Sequence, residues 1–259
     1  MGGAGMIGLR GLQRSFPAPN GGTLSVLRDI SFTVQSGEFL TVFGPNGCGK
    51  STLMSILAGL DFPSGGVLEG AAELKGQIGF VFQDYRRALL PWRSGAENVL
   101  LPLQIRGVKR AEQKERLAAL VEKLRPQLDL RQPIYTLSGG QAQMIGLMRA
   151  LIINPKLLIL DEPFSALDYG RTLALRQTLM QVAKDFALTV LFISHDLEEA
   201  LYLGDRVVFL SSKPTSVVEI LRVPFPRPRT PDLPGDPAFG ALKLRALRIF
   251  ERCQLDCVR

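Results

Sequence analysis

The sequence predicts an α/β fold: a largely parallel sheet covered by helices, with an inserted helical subdomain. Short apolar runs alternate with amphipathic helical stretches along the 259 residues, which is typical of a parallel sheet. Apolar residues make up 46% and charged residues 21% of the chain, which excludes a disordered protein. No uninterrupted apolar run reaches the roughly 18 residues of a membrane-spanning helix, and the first residues lack a secretion signal. We therefore expect a soluble protein made in the cytoplasm.

The N-terminal part of the chain predicts strands that lead into a glycine-rich loop. Residues 22–43 contain the alternating run TLSVLRDISFTV, a Ser-Gly turn at 36–37 and the short apolar strand FLTVF. A glycine-rich segment and an apolar helical stretch at 52–60 follow. Residues 76–83 predict another strand, and the pattern is helical from about 84 to 155.

The C-terminal part returns to the strand and helix alternation. Buried strands are predicted at 157–160 and 188–194, with a helix at 170–186 between them. The tail from 224 onward is rich in proline and extended, and it closes with a short helix near 239–252.

Net charge and cysteine count leave the function class open. The net charge of +7 is compatible with nucleic acid, an anionic membrane face or phosphate-bearing ligands. The densest charged region, 109–125, mixes signs and predicts a solvated helix face. Three cysteines are too few, and odd in number, for a disulfide framework.

The segment after the FLTVF strand matches the phosphate-binding loop G-x-x-x-x-G-K-[ST]. Its residues are Gly44, Pro45, Asn46, Gly47, Cys48, Gly49, Lys50, Ser51 and Thr52. Glycines let successive N–H groups point at phosphate oxygens, Lys50 supplies a cation, and Ser51 offers a hydroxyl to Mg²⁺. A glycine-rich turn matching by chance is the alternative, which the flanking strand and helix disfavour. The loop predicts a bound nucleoside triphosphate. We also expect the Cys48 thiol to be open to alkylation, with ATP protecting it.

Two carboxylates follow the apolar strand 157–160. Asp161 can hold Mg²⁺ through water, and Glu162 can orient or deprotonate an attacking water. Acidic residues at this place could instead cap the next helix. Beside a phosphate-binding loop, the carboxylates predict hydrolysis.

A second candidate phosphate cradle stands at the start of a helical stretch. It consists of Ser138, Gly139, Gly140 and Gln141, preceded by a leucine. Alone, Ser-Gly-Gly predicts only a turn, but glycine N–H groups at a helix N-terminus also bind phosphate. Two cradles on one chain imply that two chains sandwich the nucleotide.

Together these segments resemble the ATP-binding subunit of ABC transporters, over residues 7–252. LSGGQ is the specific part, because generic P-loop ATPases and GTPases lack it. The resemblance implies a single P-loop NTPase domain: a mixed, largely parallel sheet flanked by helices, with an antiparallel β-subdomain and an inserted α-helical subdomain at about 84–155. A C-terminal extension occupies about 213–259.

The resemblance also implies roles for residues outside these segments. Phe16 is similar to the aromatic residue that stacks on adenine, and Gln83 to the glutamine that touches Mg²⁺ and the attacking water. Asp168 belongs to a segment similar to the D-loop, which links the two sites of the dimer. His195, the chain's single histidine, resembles the switch that contacts the γ-phosphate. The implied metal ligands are Ser51, Gln83 and Asp161.

Further segments resemble the nitrate, sulfonate and taurine importers. They are the run after Gln83, the LLPW motif ending at Trp92, Glu97-Asn-Val and the Pro-Arg tail. This resemblance implies a homodimer that joins two membrane-spanning permease subunits and, indirectly, a solute-binding protein. It places the protein peripherally at the cytoplasmic face of the inner or plasma membrane, energising uptake of a small anionic or sulfonate-like solute, with no nucleic acid partner. Trp92 is then either a packing residue or a contact to the permease.

Two alternatives stay open. Met144 stands where the family usually has a basic residue after LSGGQ, which allows a cassette with an impaired hydrolytic cycle. A soluble ABC-type ATPase that acts on nucleic acid or the ribosome is compatible with the +7 charge. Such proteins usually carry two cassettes or a long coiled-coil insertion, and this sequence shows neither.

Overall fold

The structure, a computed structural model, describes residues 5–18, 21–164 and 169–255. The strands are β1 (Gly5–Pro17), β2 (Thr23–Gln35), β3 (Phe39–Phe43), β4 (Gly65–Glu69), β5 (Ile78–Val81), β6 (Leu157–Asp161), β7 (Thr189–Ser194), β8 (Arg206–Leu210) and β9 (Val217–Arg222). The helices are α1 (Lys50–Leu57), α2 (Tyr85–Ala88), α3 (Gly95–Ile105), α4 (Arg110–Leu124), α5 (Gly139–Leu151), α6 (Tyr169–Asp185), α7 (Leu197–Leu203) and α8 (Pro237–Leu255), and 3-10 turns lie at Ile134–Thr136 and Leu233–Gly235. Within the described ranges, every helix is too short or too polar to cross a bilayer.

The chain divides into two compact units, one formed by residues 1–75 with 189–259 and the other by 76–188. The first unit contains two groups of strands. An antiparallel sheet has the order β2-β1-β4, and a mixed group has β7, β3 and β8 parallel with β9 antiparallel to β8. The predicted α/β class is confirmed, and the antiparallel sheet is the implied β-subdomain.

The central strands of the first unit form where the sequence is apolar on both faces. All residues of β3 and β7 are buried, as expected for parallel strands covered on both sides. Phe43 pairs with Ser194 of β7 and with Phe209 of β8. Strands β3 and β7 therefore end level and β8 ends one residue later, so the loops that follow them leave from one edge.

The C-terminal tail is anchored by a buried arginine. Arg229 donates hydrogen bonds to the carbonyl oxygens of Leu201 (3.1 Å), Tyr202 (2.7 Å) and Phe225 (2.9 Å). The first two belong to the last turn of α7, whose carbonyls have no partner within the helix. Lys243 of α8 forms an ion pair with Glu198 of α7. Burial lowers the pKa of Arg229 to about 10, so it is charged at neutral pH. Helix α8 is longer than the helix predicted at 239–252.

The second unit holds β5 and β6 with helices α2 to α6. The two strands are parallel, and Val81 pairs with Leu160 near their carboxyl ends. Helices α3 and α5 each begin with a capping box, in which a serine and the residue three positions later satisfy each other's backbone N–H groups. The helical pattern predicted from 84 to 155 is found as α2 to α5.

Candidate functional site

The glycine-rich loop between β3 and α1 has a backbone that only glycine can form. Gly47 and Gly49 have φ values of 71° and 111°, in the left-handed region. A Cβ atom on Gly44 would lie 2.9 Å from the Leu210 carbonyl oxygen, and one on Gly49 would lie 2.8 Å from Val26 Cγ1. Both approaches are too close for a side chain. The curled, glycine-lined backbone fits an anion such as a phosphate group.

Lys50 places its charge on this loop. Its Nζ donates hydrogen bonds to the carbonyl oxygens of Gly44 (2.9 Å) and Pro45 (3.0 Å) and is almost fully buried. An ammonium group has three protons, so a third can be donated to a phosphate oxygen. Ser51, the next residue, is exposed in the first turn of α1. The positive end of this helix dipole favours the same anion.

Cys48 departs from the sequence-based expectation of ready alkylation. Its side chain is buried, and burial raises the pKa of the thiol, although the nearby charges of Lys50 and Lys213 act in the opposite direction. The reactive thiolate is therefore scarce at neutral pH. Cys48 is a packing residue of the loop.

His195 follows β7 at the same edge as the glycine-rich loop. The preceding residue, Ser194, pairs with the last residue of β3, so His195 and Gly44 directly follow paired residues. His195 is exposed. Behind it, the Ser194 hydroxyl donates to Glu199 at 2.5 Å and accepts from the Asp196 N–H at 2.9 Å.

The start of α7 completes this network. The Asp196 side chain accepts the Glu199 N–H at 3.0 Å and caps the helix. The network fixes the backbone on both sides of His195. Glu199 was not predicted from the sequence, although an acidic residue three positions after an N-cap is a known signal.

Phe16 lies on β1 and is half-buried. The guanidinium of Arg14 stands 4.4 Å from its ring centroid, and Arg14 is held in turn by Asp61 at 2.7 Å. Because Arg14 covers one face of the ring, a base can stack only on the opposite face. Arg14 was not predicted as part of the site.

In the second unit, Gln83 and Glu162 are brought into contact. Gln83 Nε2 donates a hydrogen bond to Glu162 Oε2 at 2.9 Å. Gln83 follows β5 and Glu162 follows β6, which are neighbouring parallel strands. Asp161, the last residue of β6, is buried. Glu162 has a φ of 45°, an unusual conformation for a non-glycine residue that typically marks a functional position.

The predicted signature segment forms the N-terminus of α5. The Ser138 hydroxyl accepts the Gln141 N–H at 3.4 Å, and Gln141 Oε1 accepts the Ser138 N–H at 2.9 Å. Gly139 and Gly140 begin the helix, where N–H groups have no partner within the helix. Asp168 of the predicted D-loop lies outside the described residues.

Met144 lies one turn further along α5. It lines a cavity of about 410 Å³ together with residues of 124–128 and Ala174, Leu175 and Thr178 of α6. Ser138, Gly140 and Gln141 also line this cavity. The residue that departs from the family pattern therefore lies next to the signature segment.

Comparison with known proteins decides the family. The family model described as ABC transporter matches residues 27–165. The aliphatic sulfonates import ATP-binding protein SsuB of Bacillus licheniformis is 38% identical over 233 residues, which cover 88% of each chain. This chain belongs to the ABC transporter family. The predicted resemblance is confirmed, and the chain is an ATP-binding cassette and an ATPase.

Other comparisons agree with this assignment. The taurine import ATP-binding protein TauB of Escherichia coli K12 is 37% identical over 236 residues, covering 87% of this cassette and 92% of TauB. The dimeric structure of MJ0796, a bacterial ABC transporter cassette, superposes with a TM-score of 0.73 at 26% identity and covers 85% of this chain and 99% of that one. A post-hydrolysis MJ0796 dimer bound to ADP and Pi matches equally well.

The three side chains predicted to hold Mg²⁺ are oxygen donors. The described residues contain no group of three or more His, Cys, Asp and Glu side chains that could hold a metal ion. The Ser51 hydroxyl, the Asp161 carboxylate and the Gln83 amide oxygen are hard ligands of the kind Mg²⁺ prefers. Mg²⁺ is usually held by one or two protein carboxylates, water and substrate phosphates.

Proposed function

We propose that this cassette energises an importer of a small anionic or sulfonate-like solute. The SsuB and TauB relatives, named for import of aliphatic sulfonates and taurine, match over most of both chains. The segments after Gln83 and the Pro-Arg tail resemble the same group. Choice of solute belongs to a binding protein and to the permease.

We further propose that ATP binds at the glycine-rich loop. Backbone N–H groups within residues 46–52 hold the phosphates, Lys50 donates its third proton to a phosphate oxygen, and adenine stacks on the face of Phe16 opposite Arg14. Ser51, Gln83 and Asp161 would hold Mg²⁺, and the bound ion would neutralise phosphate charge. The buried ammonium of Lys50 and the positive φ values of Gly47 and Gly49 support this assignment.

Hydrolysis in this proposal depends on Glu162 as general base. A carboxylate can accept the proton of the attacking water, and the hydrogen bond from Gln83 restricts the rotation of that carboxylate. His195 contacts the γ-phosphate, held by the Ser194 and Glu199 network. Catalysis then consists of positioning and charge neutralisation.

The active form is a homodimer that sandwiches ATP between the glycine-rich loop of one copy and Ser138, Gly139, Gly140 and Gln141 of the other. Asp168 links the two sites. The observation that carries the proposal is the presence, on one chain, of two glycine-containing helix N-termini that suit a phosphate: the loop before α1 in the first unit and the capped N-terminus of α5 in the second. The dimeric MJ0796 structures, one of them bound to ADP and Pi, support a dimer.

Two permease subunits are the proposed membrane partners, with the cassette peripheral at the cytoplasmic face. The second unit exposes large apolar side chains, with Trp92 at 75% and Ile105 at 78% of their surface accessible. Tyr135 and Phe82 are also exposed. Exposed apolar side chains of this size favour a protein partner.

The test is Mg-ATP hydrolysis by the purified chain at increasing protein concentration. We expect the rate to rise faster than linearly with protein and to vanish in Lys50→Ala and Glu162→Gln. Glu162→Gln should still bind ATP and form an ATP-dependent dimer on size-exclusion chromatography, whereas Glu122→Gln, an exposed residue of α4, should behave as wild type. Full hydrolysis by Glu162→Gln would remove Glu162 from the role of base.

A second measurement addresses Met144 and the solute. If the wild type binds ATP without hydrolysing it, Met144→Arg should restore turnover where an impaired signature helix is the cause.

Co-expression with the permease subunits should move the cassette into the membrane fraction and support growth on a sulfonate as sulfur source. Tight, salt-sensitive binding to DNA or RNA would instead support a nucleic acid function.

A further inference from the structure

The loop between β8 and β9, residues 211–216, lies against the glycine-rich loop of the cassette. Ser211 closes it by donating its N–H to the Ser216 carbonyl oxygen at 2.9 Å. Strand β8 is the parallel neighbour of β3, so the 211–216 loop leaves from the same edge as the glycine-rich loop. The Leu210 carbonyl oxygen would stand 2.9 Å from a Cβ on Gly44. The end of β8, from which the 211–216 loop starts, is therefore in van der Waals contact with the glycine-rich loop.

Thr215 connects three segments of the first unit. Its side chain is 0% exposed. Its N–H donates to the Val26 carbonyl oxygen at 2.9 Å, and its own carbonyl oxygen accepts the Arg28 N–H at 2.8 Å. Its hydroxyl donates a hydrogen bond to the Cys48 carbonyl oxygen. The backbone of Thr215 is thus fixed to β2, and its side chain reaches the glycine-rich loop.

The hydrogen bond to Cys48 controls the direction of a neighbouring N–H group. The Cys48 carbonyl and the Gly49 N–H belong to one planar trans peptide and point in opposite directions. Thr215 holds the carbonyl on the side of the glycine-rich loop that faces the 211–216 loop. The Gly49 N–H therefore points to the opposite side, where a phosphate can bind. Val26 restricts Gly49 further, because its Cγ1 lies 2.8 Å from the position of a Cβ.

We propose that Thr215 is a positioning residue for phosphate binding. Its hydroxyl fixes the Cys48–Gly49 peptide so that the Gly49 N–H faces a phosphate of ATP before the nucleotide arrives. A peptide that is already oriented loses less conformational freedom on binding. This inference rests on the proposed binding of ATP at the glycine-rich loop.

The experiment compares binding of trinitrophenyl-ATP and trinitrophenyl-adenosine by fluorescence. Thr215→Val keeps the shape of the side chain and removes the hydroxyl, and it should weaken trinitrophenyl-ATP binding by about three- to tenfold, the effect of one hydrogen bond. Trinitrophenyl-adenosine, which carries no phosphate, should bind as to wild type. Thr215→Ser retains the hydroxyl and should restore the wild-type ratio of the two affinities.

Thr41→Val is the matched control. Thr41 is also 0% exposed, and its hydroxyl donates to the carbonyl oxygens of Ala200 (3.1 Å) and Arg206 (3.2 Å). This variant loses a buried hydroxyl on β3 itself and should leave the affinity ratio unchanged. An equal change of the ratio in Thr41→Val and Thr215→Val would overturn the proposal, since it would show a general effect of a lost buried hydroxyl.

Failure of the inference and failure of the proposed function give different results. If Lys50→Ala binds trinitrophenyl-ATP as well as wild type, the proposed nucleotide site is wrong. If Lys50→Ala loses binding but Thr215→Val retains the wild-type ratio, only the role of Thr215 is wrong. Should Thr215→Val not fold, Thr215→Ala provides a second variant without the hydroxyl. A loss of trinitrophenyl-ATP binding in Thr215→Ser would also overturn the proposal.

Discussion

Replacing Arg229 by methionine tests how the C-terminal tail is held to α7. Arg229 is 5% exposed, and its guanidinium donates hydrogen bonds to the carbonyl oxygens of Leu201, Tyr202 and Phe225. Methionine keeps much of the volume but donates no hydrogen bond. The Leu201 and Tyr202 carbonyls are buried, whereas the Phe225 carbonyl is partly buried. A buried carbonyl left without a donor costs about 1–3 kcal/mol, so the three together cost about 5 kcal/mol in the free energy of unfolding.

The Arg229→Met variant also removes the free-energy cost of burying a charged guanidinium. Burial lowers the pKa of Arg229 from its ordinary value to about 10, which corresponds to about 3 kcal/mol for keeping the charge in the folded state. The net loss of stability in Arg229→Met is therefore about 2 kcal/mol. Because the folded-state pKa is the lower one, the penalty is complete below it and disappears as the pH rises from about 10 to the ordinary pKa of arginine. The loss should consequently be the same throughout the range of about pH 6 to 9.

The assay is urea unfolding followed by circular dichroism, with hydrogen exchange to locate the effect. The amides of α7 should exchange faster in Arg229→Met than in wild type. Arg245→Met is the control, since Arg245 is 65% exposed and forms a surface pair with Glu219, which is worth less than about 1 kcal/mol. A loss below about 1 kcal/mol in Arg229→Met would refute the reasoning, because the desolvation penalty would then cancel the hydrogen bonds.

Two further predictions concern the loop and the signature segment. Because burial raises the pKa of Cys48, N-ethylmaleimide should label it slowly at neutral pH and rapidly after unfolding in urea, as followed by mass spectrometry; equal rates would contradict its burial. Ser138→Ala and Ser94→Ala each remove an N-cap and should each cost about 1 kcal/mol in urea unfolding. Only Ser138→Ala should also lower ATP hydrolysis, and an equal loss of activity in Ser94→Ala would count against a special role of Ser138.

The strands that the sequence predicts well are those with apolar residues on both faces. Strands β3, β6 and β7 are fully buried, so their apolar runs are continuous and their boundaries clear. Strand β1 was not predicted. Gly11 interrupts it with a φ of 59°, and its pairing with β2 has several register shifts, so no regular alternation marks it. Strand β4 begins with two glycines and has no buried residue, which leaves an equally weak signal.

The candidate site divides in a similar way. Residues within compact motifs, such as Lys50, Asp161 and Ser138, could be named because their chemistry depends on neighbours close in the chain. Thr215 and Arg14 could not, since the hydrogen bond from Thr215 to Cys48 spans 167 positions and that from Arg14 to Asp61 spans 47. Such contacts are produced by the sheet topology. The periodicity and spacing of residues along the sequence do not predict contacts between positions so far apart in the chain.

The common edge of β7, β3 and β8 fixes the spacing of the three loops that follow these strands. The switch histidine, the glycine-rich loop and the 211–216 loop leave from adjacent strands whose last paired residues are level. Hydrogen-bonded strands are about 4.8 Å apart, so the roots of the outer two loops are separated by roughly 10 Å. Backbone hydrogen bonds set this spacing, and flexible loops cannot change it. The distance between the points where the outer two loops start, and so the size of ligand that they can contact together, is therefore set when the sheet forms.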